Sequence, residues 1–117
     1  MLINACTESQ IKENPLSQPL IENKSVVNED IPVYVLKTLV YIRKYDKAPA
    51  GFIGGRRFYN REKKLPISEN GIKIDYREWD VRRKEKNKNR GAERLITSKN
   101  KAYYTKDHYR IFKLIHE

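Results

Sequence analysis

The chain has 117 residues, with 25 Lys and Arg against 15 Asp and Glu and a formal net charge of +10, a length that holds one modest core and not two. One cysteine excludes an internal disulfide, one cysteine with two histidines does not make up a four-ligand structural zinc site, and no apolar run is long enough to span a bilayer. The charge is uneven: residues 1–30 hold two basic and five acidic side chains, so residues 31–117 carry 23 basic against 10 acidic, and a polyanion is the natural partner of that part.

Residues 1–29 mix Ser, Asn, Gln, Glu and Pro with isolated apolar residues and have no helical or strand period, so they read as a flexible leader. Within it, Cys6 follows Leu2, Ile3, Asn4 and Ala5. Two readings stand: an ordinary surface thiol, or the remnant of a bacterial lipoprotein signal, which would make the protein secreted or attached to the cell envelope. The ordered domain is expected over residues 30–117. Asp30 is placed to cap a helix whose first turn accepts Pro32, and Val35, Leu36, Leu39, Val40 and Ile42 form an apolar stripe at helical spacing. Arg43, Lys44 and Lys47 suit the negative end of that helix, and Pro49 with Gly51 stops it.

After Gly51 the pattern becomes that of a sheet. Runs rich in Phe, Tyr, Ile and Thr are punctuated by Gly54, Gly55, Pro66, Asn70, Gly71 and Asn100, which predicts strands at about 52–59, 73–81, 91–98, 102–105 and 109–115. The stretch from Arg82 to Lys88 carries too many like charges to be buried and reads as a solvated loop. One helix followed by an antiparallel meander predicts an α+β fold, the amphipathic helix packed on a twisted sheet.

Alternation then groups side chains by face. Ile74, Tyr76, Glu78 and Asp80 share one face of their strand, with Trp79 on the other as packing; Arg90, Ala92, Arg94 and Ile96 share a face of the next. A carboxylate beside two guanidiniums is either a structural ion-pair cluster or an anion-handling site, and spacing alone does not separate the two.

Four stretches carry a resemblance: Phe58–Pro66 (FYNREKKLP), Tyr76–Asp80 (YREWD), Arg90–Leu95 (RGAERL) and Tyr104–Phe112 (YTKDHYRIF). In this order they resemble the guanyl-specific microbial ribonucleases, the barnase family, and the layout is most similar to the compact streptomycete members. The lysine that larger members carry on a second helix has no counterpart, and Lys37 is not given its role. The resemblance implies the microbial ribonuclease fold and a metal-independent, monomeric endoribonuclease without cofactor. Such an enzyme cleaves single-stranded RNA after guanosine through a 2′,3′-cyclic phosphate, which it then hydrolyses. It implies Glu78 as general base, His108 as general acid, and Arg90 and Arg94 as holders of the scissile phosphate flanked by Tyr109. Asn60, Arg61 and Glu62 would read guanine, Phe58 and Tyr59 would shape or stack on the base, and Asp80 would orient the two arginines. His116 is left without a role. An acidic, barstar-like inhibitor or immunity protein is the further partner implied. The competing reading is a catalytically silent basic module that binds RNA.

Overall fold

A computed structural model describes residues 28–117; Cys6 and nearly all of the leader lie outside them. Of the described residues, 28–30 and His116 form one unit, and Ile31–Ile115 with Glu117 the other. In the small unit the Asn28 side chain donates to the His116 carbonyl (2.8 Å) and accepts from the His116 N–H (2.9 Å).

The larger unit begins with the helix, α1 (Val33–Tyr45). Its N-cap is Pro32 and not Asp30, and no side chain caps it. Proline has no N–H and a φ near −65°, so the helix starts directly after it, with Val35 and Leu36 bonding to the Pro32 carbonyl. It also stops earlier than the Pro49–Gly51 signal: Asp46 adopts φ 55° and returns its N–H to the Ile42 carbonyl at 2.7 Å. Val35, Thr38, Leu39 and Ile42 point inward, while Val40, expected in the apolar stripe, is exposed. Arg43 does more than complement the helix end, since it donates to the Ser98 and Lys101 carbonyls and to the Glu117 carboxylate.

The strands are β1 (Gly54–Phe58), β2 (Ser68–Glu69), β3 (Ile72–Lys73), β4 (Tyr76–Trp79), β5 (Arg94–Thr97), β6 (Ala102–Thr105) and β7 (Lys113–Leu114). Five of them form one antiparallel sheet in the order β1-β4-β5-β6-β7, and β2-β3 is a separate hairpin. The architecture is therefore the expected α+β arrangement. The hairpin was not expected. Asn70 (φ 53°) and Gly71 (φ 79°) make its two-residue turn, a pairing that right-handed strand twist favours. The run expected at 109–115 shrinks to two residues because a left-handed turn precedes it.

Period 2 divides the core between the two faces of the sheet. Trp79, Leu95 and Tyr104 lie side by side across β4, β5 and β6 and pack with Val35, Leu39 and Ile42 of α1. Trp79 is 1% exposed, and its indole N–H donates to Thr97 Oγ1 at 2.9 Å. On the other face, Tyr76 and Ile96 join Leu65, with Phe58, Ile74, Tyr103, Tyr109 and Phe112 packed against them. Gly54 is needed at the edge of this arrangement, since a Cβ there would lie 2.9 Å from the Trp79 backbone. Gly55 sits in the irregularity between Gly54 and Arg56 with φ 101°, which only glycine adopts without strain.

Candidate active site

The second face of the sheet carries a row of paired residues: Arg56 opposite Glu78, Glu78 opposite Ile96, and Ile96 opposite Tyr103. Glu78 therefore projects away from α1 into a cavity of about 430 Å³. Phe58, Tyr59, Asn60, Arg61 and Glu62 line that cavity from one side, and His108 and Tyr109 from another. Eight of the ten residues singled out in the sequence thus border a single space. Arg90 and Arg94 do not border it.

Those two arginines meet at Asp80, one residue beyond the end of β4. Arg90 lies outside the strand in which it was expected, because β5 begins only at Arg94. Arg90 donates from Nε (2.9 Å) and Nη2 (2.6 Å) to the two Asp80 oxygens, and Arg94 Nε stands 3.4 Å from Oδ1. Asp80 and Arg94 are buried, and Arg94 also donates from Nη1 to the Gly91 and Glu93 carbonyls. Its Nε makes no hydrogen bond, so its approach to Asp80 is an ion pair only. The hydrogen bond to Asp80 raises the Arg90 pKa against the opposing effect of burial, with Tyr109 and Glu78 adding in the same direction, so Glu78 lies within the field of this pair.

Glu78 accepts a hydrogen bond from the Tyr109 hydroxyl at 2.7 Å, and Arg56 Nη2 lies 3.9 Å from the same oxygen. Burial, then the bond to Glu78, pushes the Tyr109 phenol up to about 12, so it remains a donor across neutral pH. Its ring stacks on Phe58 with centroids 5.3 Å apart and 19° between planes, and meets His108 edge-on at 4.7 Å. His108 and Tyr109 both hold positive φ, 57° and 73°, a conformation that costs a non-glycine residue roughly 1–2 kcal/mol. Hydrogen bonds, one of them from a segment distant in the chain, enforce it. His108 N–H donates to the Ala92 carbonyl (3.0 Å), Tyr109 N–H to Thr105 Oγ1 (3.0 Å) and Ile111 N–H to Asp107 Oδ1 (3.0 Å); Thr105 donates to that same carboxylate (2.9 Å). The bond from Ile111 chiefly holds the Asp107 carboxyl below its ordinary range.

The segment from Asn60 to Leu65 is shaped by Asn60 itself. At φ 53° it accepts from the Lys63 N–H through its carbonyl, and its side chain both donates to the Leu65 carbonyl (2.8 Å) and accepts from the Leu65 N–H (3.1 Å). Glu62 is exposed and pairs with Lys64 at 3.2 Å. The Arg61 guanidinium lies 5.0 Å from the Tyr59 ring centroid.

Sequence reasoning missed Arg57, Lys64, Arg110 and Phe112, which also line the cavity, and Arg56, which faces Glu78. Lys64, Arg110 and Phe112 lie inside the stretches already singled out, so adjacency was an available signal. For Arg56 there was none, because its place beside Glu78 depends on the register of two strands whose paired positions, 56 and 78, lie 22 residues apart. Lys64 also donates to the Tyr109 and Arg110 carbonyls (3.2 and 3.0 Å), tying the loop of Asn60 to the segment of His108.

An acceptor carboxylate, an imidazole and a ring of guanidiniums around one open cavity can move two protons at an anionic substrate. Among the described residues no cluster of His, Cys, Asp and Glu has the makings of a metal site. No curated protein matches the chain. A family model described as ribonuclease matches residues 14–116.

Proposed function

The chain belongs to the ribonuclease family, and from that membership we propose that it is a guanosine-preferring endoribonuclease that works without metal, by acid–base catalysis between Glu78 and His108. The observation that carries the proposal is that these two side chains line one cavity, with a basic rim around it. In the first step Glu78 takes the proton of the ribose 2′-hydroxyl, whose oxygen attacks phosphorus. His108 protonates the departing 5′-oxygen, leaving a 2′,3′-cyclic phosphate. In the second step the roles reverse: His108 takes a proton from a water whose oxygen attacks phosphorus, and Glu78 returns one to the 2′-oxygen as its bond to phosphorus breaks, leaving a 3′-phosphate. Each positioned proton transfer typically supplies roughly 10²- to 10⁴-fold. Arg90 and Arg94, held on Asp80 and outside the cavity lining, offset the charge of the five-coordinate phosphorus through their field rather than by contact. Tyr109 steers Glu78 through its hydroxyl.

Guanine preference is assigned to the Asn60 loop. Glu62 would exchange Lys64 for the N–H edge of guanine, and Phe58 with Tyr59 supplies flat apolar surface for the base. A base lacking that donor edge would leave the carboxylate without its partner, which is how such a site discriminates. The same cationic rim is complementary to an acidic protein inhibitor, the second partner we propose.

The test is cleavage, in excess EDTA, of four short oligoribonucleotides that differ at one base. The expected result is product ending in cyclic phosphate only after G, with a rate that falls at both acid and alkaline pH. His108→Ala should lower the rate by about 10²-fold or more while RNA binding stays near that of the parent. Cleavage lost in chelator, or His108→Ala as active as the parent, would end the proposal.

A further inference from the structure

A second cavity, of about 240 Å³, adjoins the first and has no part in the chemistry above. Arg57, Tyr59 and Arg61 line both, so the Tyr59 ring, with guanidiniums 5.8 and 5.0 Å from its centroid, is a wall they share. Phe58 and Asn60 also line both, and the rest of the second cavity is built by Lys63, Ile67, Ile74, Asp75, Tyr76 and, from the unexpected hairpin, Lys73. Four cations border it, Arg57, Arg61, Lys63 and Lys73, against the single carboxylate of Asp75. Ile67 is 50% exposed and Tyr59 62%, so large apolar surfaces are left open among those cations.

Flat apolar surface set among cations is the chemistry that holds a nucleotide, its base on the plates and its phosphate on the charges. The scissile phosphate and the leaving nucleotide occupy the 3′ side of the bound guanosine, at Glu78 and His108. The strand must therefore leave on its 5′ side. We infer that the cavity between the Asn60 loop and the β2-β3 hairpin is a subsite for the nucleotide 5′ to the guanosine, with the intervening phosphate held by Arg57 and Arg61. The inference rests on placing guanosine in the first cavity.

The test compares the dinucleotide GpA with UpGpA and GpApU. Extension on the 5′ side should raise kcat/KM by about 10- to 100-fold, the gain expected for one stacked base with its phosphate contacts, and extension on the 3′ side should not match it. In the Lys73→Gln, Ile67→Ser double variant that gain should vanish, while GpA is cleaved at the parent rate and the thermal midpoint confirms folding. GpA cleaved without advantage for UpGpA, or an advantage that survives the double variant, would overturn the subsite alone. Failure to cleave any of the three would overturn the guanosine assignment and the subsite with it.

Discussion

Asp80 serves two guanidiniums from a position only 2% exposed. Removing a carboxylate from water costs several kcal/mol, and the cost is offset here because Arg90 reaches both oxygens and Arg94 approaches one of them. The group is therefore sensitive to loss of a partner. Asp80→Ala should destabilise the protein by about 3–5 kcal/mol in urea denaturation, since two partly or wholly buried cations lose their counter-charge. A change under about 1 kcal/mol would show that water or neighbouring carbonyls compensate. The pairing was foreseeable from the resemblance to known ribonucleases but not from alternation, which placed Arg90 within a strand that begins only at Arg94. The Tyr109–Glu78 bond was not foreseeable at all. It depends on two consecutive left-handed residues that no propensity favours.

At the level of elements, a half-buried carboxylate ties the helix to the sheet in addition to its apolar stripe. Glu93, just before β5, accepts from the hydroxyls of Tyr34 on α1 and Tyr104 on β6 and from Arg82 Nε, which starts the basic loop. Burial alone pushes its pKa up, but the bonds from Tyr104, Tyr34 and Arg82 outweigh it, and the carboxyl is held below its ordinary range. The unfolded chain therefore binds a proton at Glu93 more readily than the folded one. Its stabilisation is complete above the unfolded pKa of about 4.3 and is lost as pH falls through the lower, folded value. Glu93→Gln should be less stable than the parent at about pH 6, with the difference closing on acidification toward about pH 3; a constant difference would assign the effect to packing. The helix itself was legible because its buried residues recur at 3.6 spacing. Its ends were not: Pro32 displaced Asp30 as the cap and Asp46 closed the helix before Pro49. The β2-β3 hairpin escaped notice because two residues per strand show no alternation, although Asn70-Gly71 is a strong turn signal.

Over the whole molecule, the +10 charge becomes a field around the cavity, through Arg57, Arg61, Lys64 and Arg110. Each phosphate neutralised on a single strand contributes a slope of about −0.7 to the dependence of log affinity on log salt. An oligoribonucleotide engaging three phosphates should thus lose about twentyfold in kcat/KM between roughly 50 and 200 mM salt, and GpA much less. Equal salt dependence for the two would show that the outlying cations do not touch substrate. The amino-acid sequence by itself determined the α+β class, the order of helix and strands, the basic character of the domain and, through four spaced stretches, the residues that gather around the cavity. These are encoded locally, in side-chain period, turn residues and charge. Tertiary structure alone decided that Arg56 faces Glu78, that Arg90 and Arg94 stay outside the cavity lining, and that a hairpin walls a second cavity beside the first. Each of these is set by strand register and by contacts between residues distant in the chain, where a shift of one position would turn every side chain to the opposite face.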